Sequence, residues 1–480
     1  MVPTNLSSQS KTTAVRAWVT LACLSMLQFL IAVDVTVVNV ALPSIGAEFG
    51  ANARQLTWVV VGYTITGGGL LMLGGRLGDL LGQRRLLMIG TTVFGLASLL
   101  AGLAPTYPIL VTARLLQGAG EAMALPAAMA VIVLLFPEGR GRSRALSVWA
   151  AVASCGLVLG FILSGVITEF LGWRWIFLVS VPFIVFVLIA SGILIPADQP
   201  RRRMKLDLPG SVLLTAAPLL LVFGIVEAGE TDGIPRWAAV VVLVAAVIAA
   251  YMFVVVERRA TNPLIPLEFF RNRTRVGANL ATALLSGALS TSFLLFTFYL
   301  QNRLGLSPLT TGLTLVPLAI SLVAAATLVP RFLGRWGARF CAVTGIGFTA
   351  LGMVAIAIVT YVEAAAIAMI PAMVLIAVGM GFGLVGLQYA AVTGVTESDA
   401  GTASGVQRAA DQLGGSAGIT LYIGLGFSGA SFGIDPFLLS SAFAIIGLIG
   451  AGLIAMRISM PRHGAAENTR LATKPSESAP

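Results

Sequence analysis

The sequence predicts an all-α integral membrane protein of fourteen transmembrane helices, two halves of six with a pair inserted between them. Composition is the first reason: of 480 residues 57% are hydrophobic and only 10% charged, with a mean hydropathy of +0.95. An ordinary globular chain carries roughly 25% charge, so most of this surface must face lipid. The second reason is segment length, because a hydrocarbon core about 30 Å thick takes roughly 20 apolar residues as helix and the chain reads as a series of such runs. The third is that its basic residues fall in short clusters between those runs.

In chain order, residues 1–16 are a polar tail, and the apolar run behind it is too long for a cleaved signal and continues as a span. The first half, 17–196, holds runs at 17–41, 55–75, 85–104, 107–135, 145–168 and 173–195. An inserted segment, 197–260, holds two more, 209–228 and 236–256. The second half, 261–457, has runs at 276–302, 310–330, 340–360, 364–391, 402–428 and 435–457. Residues 458–480, rich in Ala, Ser, Glu and Pro, read as a disordered tail. An even count puts both termini on one side. Twenty-five basic residues then fall with the termini, and only Arg54, Arg174, Arg236 and Arg303 fall opposite, with Arg114 inside a run. One missed helix would invert every later loop, so this alternation places both termini in the cytoplasm of a plasma-membrane protein.

Several chemistries are excluded. The single histidine, His463, lies in the polar tail, and Cys23, Cys155 and Cys341 are scattered through apolar runs, which leaves no metal-ligand cluster and no disulfide framework. None of the three lysines, Lys11, Lys205 and Lys474, follows a glycine, so the phosphate-binding GxxxxGK[ST] loop is absent. No cofactor, no metal and no enzymatic activity are expected. The formal charge of +10 reflects cytoplasmic loops rather than a nucleic-acid surface.

The loop after the second run reads GRLGDLLGQRR, Gly75 to Arg85, and that after the tenth reads PRFLGRWGARF, Pro330 to Phe340. They align at a constant offset of 255, pairing Arg76 with Arg331, Gly82 with Gly337 and Arg84 with Arg339. Duplicated halves with a site between them are a common transporter plan. In the first copy Gly75, Gly78 and Gly82 allow close approach and a tight turn. Asp79 can accept from a helix N terminus or pair with Arg76, Arg84 or Arg85, which together would latch neighbouring helices in one state. Gly334 stands at the aspartate position of the second copy, where any latch should be weaker. On the fifth run Gly156, Gly160 and Gly165 form a small-residue strip, for packing or for a hinge.

Ionisable groups inside spans are costly and therefore functional candidates. Asp34 lies seven residues before the outer end of the first run and Arg114 seven residues into the fourth, at similar depth on antiparallel helices, so an ion pair between them is geometrically allowed. Glu121 lies one heptad on, about 10 Å deeper on the same face. Asp411 and Arg408 are three apart near the start of the thirteenth run, where they can neutralise one another or supply a carboxylate to the cavity. Gln28, Asn39, Tyr63, Gln117, Phe296, Tyr299 and Gln388 join Glu121 and Asp411 as the expected cavity lining.

AVDVTVVNVALP in the first run, GRLGDLLGQRR, RLLQGAGEAMALP from Arg114 to Pro126, GLVLGFILSG from Gly156 to Gly165 and GWRWIFLVSVP from Gly172 to Pro182 occur in that order. In this the chain resembles the drug:proton antiporter family with fourteen spans, within the major facilitator superfamily, along essentially its whole length. The resemblance implies the major facilitator fold, a monomer in the bilayer and proton-driven export of lipophilic drugs or antibiotics, cationic ones included, by alternating access. It matches Asp34 to the membrane acid of the first-helix motif, and Arg114, Gln117, Gly118, Gly120 and Pro126 to the fourth-helix motif. Departures from the family are Glu121 where a small residue is usual, Phe161 in place of a proline, Arg408 in place of asparagine and Asp411 in place of arginine. Asp34, Arg114 and Glu121 are therefore the expected proton-coupling set. Export of one endogenous metabolite, proton-coupled uptake, or a non-transporting sensor are the alternatives.

Overall fold

The computed structural model describes residues 6–198, 207–228, 235–260, 263–265, 269, 271–393, 395, 400–428 and 433–458. Arg201, Arg202, Arg203 and Lys205, and the tail with His463, lie outside the described residues. The elements are α1 Leu6–Phe49, α2 Ala53–Leu81, α3 Gln83–Gly102, α4 Tyr107–Leu135, α5 Arg140–Phe170, the one-turn α6 Trp175–Leu178 and α7 Ser180–Leu194, which form the first half. The hairpin α8 Leu208–Ala228 and α9 Arg236–Arg259 follows. The second half contains α10 Arg273–Phe298, α11 Pro308–Thr314, α12 Val316–Tyr361, α13 Ile370–Val392, α14 Ala400–Ser428 and α15 Pro436–Met456. Among the described residues there is no strand, as expected where lipid leaves backbone groups to satisfy one another within a helix.

Local chemistry sets the ends of these helices. Asn52 caps α2 in a reciprocal capping box with Gln55, and Asn272 and Asp435 accept from the first backbone amides of α10 and α15. Gly82 ends α2 at φ 97° and Gly337 bends α12 at φ 82°, a left-handed backbone that only glycine adopts cheaply. These two glycines are the aligned pair of the internal repeat. Gly90 on α3 meets Gly120 on α4, where a Cβ on either would strike backbone, and Gly345 on α12, at the same offset from Gly90, packs on α13, where its Cβ would lie 2.1 Å from Gly383 N and 2.8 Å from the Gly379 carbonyl oxygen.

Twelve stretches among the described residues are long and apolar enough to cross a membrane. One of them, Pro308–Tyr361, is 54 residues long and contains the bend at Gly337. The runs 310–330 and 340–360 are two helical arms that meet at the kink at Gly337, the one residue of α12 outside the helical region. The run 173–195 corresponds to one apolar stretch, Trp175–Leu194, formed by α6 and α7 in succession.

The halves meet along α2 and α14, where the Thr64 and Ser416 hydroxyls are 2.5 Å apart and a Cβ on Gly68 would lie 2.9 Å from that of Gln412. At the end of α5 that carries Phe170, Gly165 packs on α11, where a Cβ on Gly312 would lie 3.2 Å from Gly165 Cα. Gln301 donates to the Val40 carbonyl at 2.8 Å at the same end. The α8–α9 hairpin packs on α2 and α14, with Gly69 accommodating Thr215.

Candidate functional site

Two polar centres lie inside the bundle. The first surrounds Arg114, which is 1% exposed. Its Nε donates to the Val59 carbonyl at 2.8 Å, and its Nη1 donates to Asp34 Oδ2 at 2.5 Å and to Gln117 Oε1 at 2.8 Å. Gln117 Nε2 in turn donates to Asp34 Oδ1 at 3.2 Å and to Ser98 Oγ at 2.8 Å. The guanidinium lies 4.4 Å from the centre of the Tyr63 ring and 5.7 Å from that of Phe177. Five helices thus hold one charge pair, and hydrogen bonds from Arg114 Nε to the Val59 carbonyl and from Gln117 to Asp34 offset part of the cost of burying it.

The second centre is a cavity of about 230 Å³ between the halves. Gln28, Asn39 and Glu121 face it from the first half, and Ser286, Arg408, Asp411 and Gln412 from the second, among apolar side chains such as Phe161, Phe293 and Leu384. Glu121 reaches it because α4 crosses α2 at Gly67, where a Cβ would stand 3.1 Å from Glu121 Oε2 and 3.3 Å from Gln412 Oε1. Its Oε1 accepts from Gln412 Nε2 at 3.3 Å and lies 3.8 Å from Arg408 Nη2. A carboxylate of one half is thereby held by an amide and a cation of the other.

Several expectations are corrected. Arg408 and Asp411 do not neutralise one another: Arg408 pairs with Glu121, while Asp411 Oδ1 accepts from Ser286 Oγ on α10. Tyr63 and Gln117 do not line the cavity, since both are committed to the Arg114 centre. Phe296 and Tyr299 are fully buried in the second half, where the Tyr299 hydroxyl donates to the Ala364 carbonyl at 2.6 Å. Gln388 is exposed near the end of α13. Helical periodicity turned these side chains away from the cavity, and depth alone could not show it.

In the loop between α2 and α3, Gly82 makes the expected turn, and Gly78 lies so close to Gln83 that a Cβ would meet its amide. Gly75 is open, with nothing within 4 Å of a Cβ, so no close approach needs it. Asp79 Oδ1 accepts from Gln83 Nε2 at 3.2 Å, but the α3 N terminus is capped by Asp198, whose two oxygens accept from Arg84 N at 3.1 Å and Arg85 N at 3.0 Å. The Arg84 side chain reaches the Gly192 carbonyl, and Arg76 Nη2 donates to the Pro263 carbonyl at 2.6 Å. Asp198 carried no local signal, being more than a hundred residues away. On α5, Gly156 packs against Ala32 and Gly160 against Thr36 of α1, while Gly165 faces the second half.

The Major Facilitator Superfamily model matches residues 24–419. The chain is 50% identical over 451 residues to the lincomycin resistance protein of Streptomyces lincolnensis, covering 94% of this chain and 93% of that one. It is 38% identical to a cephamycin export protein of Amycolatopsis lactamdurans, covering 88% and 87%, and 36% identical to a puromycin resistance protein of Streptomyces alboniger, covering 85% and 81%. Among solved structures it is similar in fold to a POT family transporter, with a TM-score of 0.68 at 13% identity over 92% of this chain and 98% of that one.

Proposed function

The chain belongs to the major facilitator superfamily, and from that premise we propose that this membrane transporter exports antibiotic-like compounds in exchange for protons. The observation that carries the reading is the Glu121 carboxylate in the cavity between the halves, held by Gln412 and Arg408 of the opposite half. A cationic group of a substrate competes with Arg408 for that carboxylate, and so does a proton. Binding either one loosens a contact between the halves, which is the differential interaction that alternating access requires. The names of the relatives, resistance to lincomycin and puromycin and export of cephamycin, support the substrate class.

The sealed Asp34–Arg114 centre is the second protonation element of the proposal. Protonating Asp34 would leave the Arg114 charge without its counterion, so proton uptake there and rearrangement of α1 against α4 are linked. Driving force suffices: one charge crossing 100 mV is worth about 2.3 kcal/mol, which supports a roughly fifty-fold gradient of a neutral substrate. The packing of Gly165 on Gly312 supports a state closed at the outer end, with the cavity reached from the side of the termini. Counting the two arms of α12 separately and adding α14 to the twelve apolar stretches supports fourteen spans with both termini on one side, and the excess of basic residues in the loops on that side supports its being the cytoplasm. The test is a susceptibility panel of a host expressing the protein against one carrying the empty vector, followed by substrate-induced proton release in proteoliposomes. Unchanged susceptibility across lincosamide, nucleoside and β-lactam antibiotics would refute drug export, and transport without proton movement would refute antiport.

A further inference from the structure

The inserted hairpin buries two carboxyls that the transport reading does not use. Asp207 immediately precedes α8 and Glu257 lies in the last turn of α9, so the antiparallel pair brings them to one end. They are 9% and 2% exposed. Each has one oxygen on backbone: Asp207 Oδ1 accepts from Gly210 N at 2.8 Å and Glu257 Oε2 from Ile265 N at 3.3 Å. The other two oxygens, Asp207 Oδ2 and Glu257 Oε1, are buried without a hydrogen-bond partner. Both converge on Gly210, where a Cβ would stand 2.7 Å from the first and 2.9 Å from the second. A side chain there would fill the space between them.

Among the described residues neither acid is in an ion pair. Arg76, the cation that faces Glu257 from α2, donates to the Pro263 carbonyl, and Arg258 and Arg259 of α9 are exposed. Two buried carboxylates with unsatisfied oxygens repel, and each leaves a desolvated acceptor unpaired. One proton between them removes a charge and satisfies both oxygens in a single O–H···O bond. We propose that Asp207 and Glu257 share one proton, forming a protonation site at the base of the inserted hairpin, separate from the central cavity. Because Glu257 also holds Ile265 and Arg76 holds Pro263, the site borders the linker that enters the second half.

Infrared pH-difference spectra of the full-length chain in lipid nanodiscs test this directly. The wild type should show a protonated carboxyl band at mildly acid pH that is lost at alkaline pH. Because one shared proton makes one protonated carboxyl, Glu257→Gln and Asp207→Asn should each abolish the pair's contribution to that band while their amides supply the missing donor, so the variants remain folded at both pH values. Should one variant not accumulate, the other interrupts the same bond. A band that survives both substitutions, or no titrating carboxyl band in the wild type, overturns the proposal. A thermal midpoint raised by sodium or calcium in the wild type but not in Glu257→Gln would assign the pair to a metal cation and also overturn it.

Discussion

At the residue scale, the Arg114 centre and Glu121 differ in how firmly their charges are held. Arg114 is 1% exposed and donates to Asp34, Gln117 and the Val59 carbonyl. Asp34→Asn should therefore destabilise the protein, because breaking one side of a buried pair costs about 3–5 kcal/mol, and Asp34→Asn with Arg114→Gln should recover much of that in thermal-unfolding measurements. If Asp34 carries the exchanged proton, the double variant still fails to release protons on substrate addition. Recovery of both stability and coupled transport would assign Asp34 a purely structural role. Glu121 is held by a longer contact to a half-exposed arginine. Glu121→Gln should weaken export of cationic compounds more than of neutral ones of similar size, measured as the ratio of their inhibitory concentrations. Equal losses would remove the electrostatic role.

At the element scale, glycine contacts determine which helices approach closely. Gly345 and Gly347 are two residues apart on α12, yet a Cβ on the first would lie 2.1 Å from Gly383 N and a Cβ on the second meets nothing within 4 Å. Gly345→Ala should lower the thermal midpoint through overpacking worth about 1–3 kcal/mol, whereas Gly347→Ala should be neutral or stabilising by up to about 1 kcal/mol through helix propensity. Similar midpoints for the two would show that α12 and α13 can separate without cost. The cap on α3 allows a second comparison. Asp198→Ala removes both acceptors for Arg84 N and Arg85 N and should cost about 1 kcal/mol. Asp79→Asn should leave the amount of folded protein in the membrane unchanged while reducing transport, and full transport in that variant would reduce the loop to a topology signal.

At the scale of the whole molecule, the two halves must part where they now touch if access alternates. Gly165 and Gly312 pack too closely to accept side chains, and beside them Leu309 N donates to Glu169 Oε2 at 3.4 Å, so cysteines at Glu169 and Leu309, in a chain with Cys23, Cys155 and Cys341 replaced, should cross-link under oxidation. Transport should stop on oxidation and return on reduction. Undiminished transport in the cross-linked protein would mean that this end of the interface stays shut throughout the cycle. Reporter fusions at 140, 203, 273 and the C terminus should all read cytoplasmic and one at 232 external. A split between 203 and 273 would remove the inserted pair from the membrane.

Composition, run length and the basic-residue alternation were enough to read an all-helical membrane protein, because partition into lipid depends on local hydropathy and length rather than on distant contacts. The repeat at an offset of 255 was legible for a related reason: the turn at Gly82 and the bend at Gly337 need glycine locally, whatever surrounds them. Depth was legible too, and it brought Asp34 to Arg114. Orientation around each helix was not. Phe296, Tyr299 and Gln388 lie in apolar runs like Gln28 and Asn39, but only the packing of neighbouring helices decides which side chains meet the cavity. Arg408 sits three residues from Asp411, and their spacing allowed either mutual neutralisation or a carboxylate in the cavity; the tertiary structure gave Arg408 to Glu121 and Asp411 to Ser286, with both lining the cavity. Asp198 became the cap of α3 in the same way, since contacts between residues far apart in the chain exist only after the helices have packed.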